Sequence, residues 1–69
     1  MDIKSKVGKR IFEIREQKGI SQKDLSFSAD IDRSYIASVE NGHRNISIIN
    51  LEKISHALEV SLSELFKDI

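Results

Sequence analysis

Apolar residues recur along this chain at spacings of three and four, the pattern of helices that each bury one face. The periodicity divides the sequence into five short helices, punctuated by glycines and by Ser or Asp caps. Val7, Ile11 and Ile14 share one face of a first helix predicted from Ile3 to Lys18. Gly19, free to adopt the left-handed conformation, ends it. Ser21 opens the second helix as a hydroxyl cap, with Asp24 near the positive terminus. Leu25 and Ala29 face inward there, and the helix is expected to stop near Asp30. Asp32 is expected to cap a third helix with Ile36 and Val39 on its buried face, closed by Asn41 and Gly42. After a polar loop, His43 to Asn45, Ser47 caps a fourth helix whose core face is assigned to Ile48, Leu51, Ile54 and Leu58. Ser61 and Glu64 have capping-box spacing and begin a last short helix carrying Leu62, Leu65 and Phe66. The predicted fold class is therefore all-α, a compact five-helix bundle.

Only three residues, Asp30 to Asp32, connect the second and third helices. So short a link forces a sharp crossing, which is the geometry of a helix-turn-helix. Leu25, Ala29, Ile31, Ile36 and Val39 would lock the two helices into a rigid unit. The third helix then exposes Arg33, Ser34, Ala37 and Ser38, with Asn41 at its end. These small or hydrogen-bonding side chains leave it slim enough for a major groove about 12 Å wide.

Composition narrows the field further. Sixty-nine residues make one domain near the lower limit for an unaided core, and such chains often gain stability from a second copy. The chain has no cysteine, and its two histidines, His43 and His56, lie 13 residues apart with no ligand cluster beside them, so no metal site is expected. No apolar run approaches the ~20 residues of a membrane span and no signal-peptide pattern opens the chain, so a cytoplasmic protein without a membrane partner is expected. Net charge is zero, whereas nucleic-acid binding usually goes with basic character. The distribution matters more than the sum. Residues 1–20 carry six Lys or Arg against three acids, and residues 46–69 carry two against four. No Ser-His-Asp arrangement can be assembled and no glycine-rich phosphate cradle is present. An enzyme is not expected, nor a cofactor.

The sequence resembles helix-turn-helix proteins of the phage-repressor type over nearly its whole length. The likeness is carried by Gly8, Arg10, Ile11 and Arg15 in the first helix and by Gly19-Ile20-Ser21-Gln22 at the entry to the second. It continues through Leu25, Ile36, Glu40, Asn41 and Gly42 to Leu58, Val60, Leu65 and Phe66. Each piece is weak alone; their order and spacing together are specific. A narrower likeness lies in Asp32-Arg33-Ser34-Tyr35-Ile36 followed by Arg44-Asn45-Ile46-Ser47. That pairing is similar to the controller proteins of bacterial restriction–modification systems, small dimers that bind operators upstream of their own gene and the endonuclease gene. The resemblance implies a lambda-repressor-like bundle in which residues 1–69 form a single DNA-binding and dimerisation domain. It also implies a transcriptional regulator that binds a pseudo-palindromic operator in double-stranded DNA as a homodimer, with RNA polymerase as a further partner.

Residue roles follow from the resemblance. Arg33, Ser34, Tyr35 and Ser38 are the candidates for contact with base edges, because arginine can bond guanine O6 and N7 together. The competing reading of Arg33 is a solvated side chain paired with Asp30 or Asp32; that of Tyr35 is packing beside the turn. Gln22, Asn41, Arg44 and Asn45 are the candidates for the DNA backbone, with Gln22 at a helix start where free amides also hold phosphate. Arg15 and Glu40 are expected to form a structural ion pair between the first and third helices. Ile49 falls off the expected core face of the fourth helix, so Ile46, Ile49, Leu62 and Phe66 are assigned to an apolar dimer interface. Alternatively, Ile49 is a lone exposed isoleucine, common on soluble proteins. Three positions depart from the pattern: Asp30 replaces a usual turn glycine, Ser26 a usual alanine, and Phe12 a commoner arginine. Phe12 is open between surface exposure and packing under the last helix. A rival functional class is an antitoxin or protein-interaction module of the same fold, acting mainly on a protein partner; a long neutralising tail would favour it.

Overall fold

The computed structural model describes residues 2–69, which form α1 (Ile3–Gln17), α2 (Gln22–Ala29), α3 (Arg33–Glu40), α4 (Ile48–Ala57) and α5 (Leu62–Leu65). Four of the five helices begin with a side-chain cap. The Asp2 carboxylate accepts the Ser5 N–H at 2.9 Å, and Ser21, Ser47 and Ser61 each accept the N–H three residues on at 3.0–3.1 Å. Each satisfies one backbone donor that the helix cannot pair itself.

The exception is α3. Asp32 stands at its N-cap but accepts no backbone N–H, contrary to the expected cap. Its carboxylate takes the Ser34 hydroxyl instead, at 2.7 Å. The capping box of α5 is likewise half formed. Ser61 caps, while the Glu64 carboxylate lies 3.5 Å from Arg10 Nη2.

The core is one apolar cluster: Val7, Ile11 and Ile14 of α1, Leu25 and Ala29 of α2, Ile36 and Val39 of α3, Ile54 and Leu58 near α4, and Leu65 of α5. α1 packs on α3, α2 on α3 and α4, and α5 on α4 and α1. Burial of these side chains, worth ~1.5–3 kcal/mol each for the large ones, is what holds short helices that would not persist alone. Gly8 lets α1 approach the end of α3 closely. A Cβ there would collide with the Val39 carbonyl oxygen and lie 2.9 Å from that of Glu40.

One expected core residue is misplaced. Ile48 is 79% exposed, not buried. The buried stripe of α4 runs through Leu51, Ile54 and Leu58, and at 3.6 residues per turn Ile48 falls on its margin, in a first turn that the neighbouring helices do not cover. Ser55 is buried on this helix instead, its hydroxyl donating to the Glu52 carbonyl at 2.9 Å. Phe12 stays partly exposed, with the Arg15 guanidinium 5.3 Å from its ring centroid. Among the described residues no helix is long and apolar enough to cross a membrane.

Candidate nucleic-acid interface

The turn between α2 and α3 is made by Asp30, whose backbone is left-handed at φ 55° and ψ 48°. Asp tolerates this region better than most residues, since its short polar side chain can bond locally. The reversal is closed by the Ile31 N–H on the Ser26 carbonyl at 3.1 Å. Ile31 then packs, partly buried, against the core. Two crossed helices are fixed as one unit.

With Ile36 and Val39 turned inward, α3 presents the opposite side. Arg33 and Ser34 are exposed at its start, Ala37 and Ser38 are half-buried, and Asn41 is exposed just past its end. Arg33 forms no ion pair among the described residues, with Asp30 and Asp32 included. Its guanidinium is free to bind elsewhere. Ser34 is not equally free, because its hydroxyl is donated to Asp32.

The loop after α3 reverses at Gly42, φ 77°, which lies against Ser5 of α1, and the His43 N–H closes the helix on the Ser38 carbonyl at 3.0 Å. This brings Arg44 back alongside α3, with its guanidinium carbon 4.5 Å from the centroid of the Tyr35 ring. Tyr35 is half-buried and packs against the core, while Arg44 and Asn45 are exposed.

Behind the recognition surface lies a buried polar knot. Arg15 donates through Nε and Nη2 to the two carboxylate oxygens of Glu40, at 2.8 and 3.0 Å, and through Nη1 to the Ile20 carbonyl at 2.9 Å. Hydrogen bonding to Glu40, the largest influence, raises the Arg15 pKa against the opposing effect of burial. Gln22 also donates to Glu40, from Nε2 at 3.0 Å. That bond was not foreseen from the sequence. It fixes the amide at the start of α2 and leaves one N–H and the carbonyl oxygen of Gln22 without a partner among the described residues. Arg10, which sequence pattern alone gave no role, donates to the Leu65 and Glu64 carbonyls at 3.3 and 2.9 Å and so closes the end of α5.

The residues assigned to a subunit contact lie on α4, on α5 and in the segments beside them. Ile46 and Phe66 line a shallow hollow with Ile3 and Leu51, whereas Leu62 lines another with Val60, Lys53 and His56. Ile49 is 69% exposed on the outer face of α4. No group of three or more His, Cys, Asp or Glu among the described residues is placed to hold a metal.

The chain as a whole is similar to known proteins. A helix-turn-helix family profile matches residues 11–65. The chain is 48% identical over 69 residues to the control protein C.MunI of a Mycoplasma species, covering 99% of this chain and 93% of that one. It is 44% identical over 59 residues to the control protein C.BamHI of Bacillus amyloliquefaciens, covering 84% and 73%. The crystal structure of the restriction–modification controller protein C.AhdI from Aeromonas hydrophila superposes with a TM-score of 0.89 at 44% identity, covering 91% of this chain and 96% of that one. The controller protein C.Esp1396I bound to a 19-base-pair DNA duplex superposes with a TM-score of 0.90 at 40% identity, covering 97% and 89%. The fold and the crossed-helix site define a helix-turn-helix protein. The chain belongs, within that family, to the restriction–modification controller proteins.

Proposed function

We propose that this protein is a sequence-specific DNA-binding regulator of transcription for a restriction–modification system, working as a homodimer on a pseudo-palindromic operator. The observation that carries the reading is α3 itself: its inner face is locked by Ile36 and Val39, and its outer end offers an Arg33 that pairs with no carboxylate among the described residues. An arginine there can bond a guanine edge in the major groove with two parallel N–H donors. Ser34, Tyr35 and Ser38 are the remaining groups for base contact; Gln22, Asn41, Arg44 and Asn45 serve the sugar–phosphate chain, which positions without reading sequence. The likeness to a controller protein bound to a DNA duplex supports DNA binding by this chain.

Ile49, with Ile46, Leu62 and Phe66 on flanking surfaces, forms the contact between two copies. A two-fold dimer places its recognition helices ~34–36 Å apart, one turn of DNA, which explains the expected operator symmetry. RNA polymerase is the proposed protein partner in activation. Electrophoretic mobility shift with DNA from upstream of the chain's own reading frame tests the central claim. Tight binding there and weak binding to a scrambled duplex is expected; equal affinity for both would overturn it.

A further inference from the structure

Tyr35 belongs to α3 and Arg44 to the loop beyond it, yet the guanidinium sits over the tyrosine ring at 4.5 Å. Among the described residues no carboxylate pairs with Arg44. The aromatic face is therefore what holds it. A cation over such a ring is attracted by the ring quadrupole, while the edges of a stacked guanidinium keep their N–H donors free. The ring is itself anchored, since Tyr35 packs against the core cluster. An arginine on an exposed loop otherwise samples many rotamers, and binding must first freeze them.

We propose that Tyr35 is a positioning residue: its ring holds Arg44 beside the recognition helix, and Tyr35 contributes to DNA binding chiefly through Arg44. The inference rests on the DNA-binding reading above. It also divides the tyrosine between two jobs. The ring face under Arg44 is closed to a base, and the hydroxyl remains for DNA.

A double-mutant cycle on one specific duplex tests this, using wild type, Tyr35→Leu, Arg44→Ala and the double variant, with Tyr35→Phe as the conservative replacement. Tyr35→Leu should weaken binding about two- to fivefold more beside Arg44 than in the Arg44→Ala background, where only the contact of the hydroxyl is lost. Tyr35→Phe should preserve the coupling despite losing the hydroxyl. Equal losses in both backgrounds would overturn the proposal. A second arm needs neither DNA nor a substitution. In free wild-type protein the Arg44 side-chain protons should be displaced upfield by the ring current of Tyr35, the chain's single tyrosine, and unshifted resonances would also overturn it. Shifted resonances in a wild-type protein that binds no specific duplex would instead defeat the DNA-binding reading, and with it the positioning role, while leaving the stack intact.

Discussion

Arg15 and Glu40 join α1 to the end of α3 through two parallel hydrogen bonds, 2.8 and 3.0 Å, with both side chains less than a tenth exposed. Glu40 also receives Gln22, so a single carboxylate ties together the first three helices. Taking two charges out of water is expensive, and the pair is weak evidence of net stability. Its consequence is positional. It fixes where α3 ends and how the amide at the start of α2 is held.

Removal of one partner leaves the other charge buried. Glu40→Ala should lower unfolding free energy by about 3–5 kcal/mol, measured by urea denaturation. Arg15→Met with Glu40→Leu should recover much of that loss, because neither charge remains to be desolvated.

The pH response follows from two shifted groups. Hydrogen bonding to Glu40 raises the Arg15 pKa, so its share of stability is complete below the ordinary arginine range and is lost only as pH rises through the higher folded value. Neutral and mildly alkaline solutions should leave it unchanged. Asp2 moves the other way. The Ser5 N–H holds its carboxyl below its usual 3.8, so the cap is present above that range and lost as pH falls through the folded value. The Ser5 amide resonance should report that loss in acid, with a midpoint below 3.8; a midpoint at or above it would contradict the cap.

Gly8→Ala gains helix propensity of about 1 kcal/mol. The new methyl meets backbone carbonyls of Val39 and Glu40, which cannot rotate away. The net effect should be destabilising, by about 1–3 kcal/mol in thermal or denaturant unfolding. A stabilised variant would show that α1 can withdraw from α3 freely.

Arg33 and Arg44 should respond differently to truncation. Arg33→Ala should relax sequence preference at one operator position by about 1–3 kcal/mol. Arg44→Ala should weaken binding to all duplexes evenly and reduce the salt slope by about 1. Unchanged affinity in both variants on an established operator would remove these residues from the interface.

Adjacent isoleucines at the start of α4 separate fold from assembly. Both are largely exposed in the single chain. Ile49→Glu should shift sedimentation toward monomer, whereas Ile48→Glu should alter unfolding free energy by no more than about 0.5 kcal/mol. A dimer that survives Ile49→Glu would place the subunit contact elsewhere.

The elements were legible in the sequence because their signals are local. The spacing of Val7, Ile11 and Ile14, the serine caps at Ser21, Ser47 and Ser61, and the left-handed Gly19 each act within a turn or two of chain. The crossed helices followed from the short link and the inward residues around it. Ile48 shows the limit of that reasoning, since periodicity gives a side chain's direction but not whether another helix lies there to cover it.

Beyond the Arg15–Glu40 pair, which the family resemblance implied, only the tertiary structure decided which distant polar groups meet. The Gln22 bond to Glu40 spans 18 residues, and the closure of α5 by Arg10 spans up to 55. Tyr35 comes under Arg44 because the loop turns back at Gly42. Apolar burial is non-directional and leaves a repeating mark along the chain; a hydrogen bond or stacked ring needs two particular atoms within a few ångströms. That proximity exists only after the helices have packed.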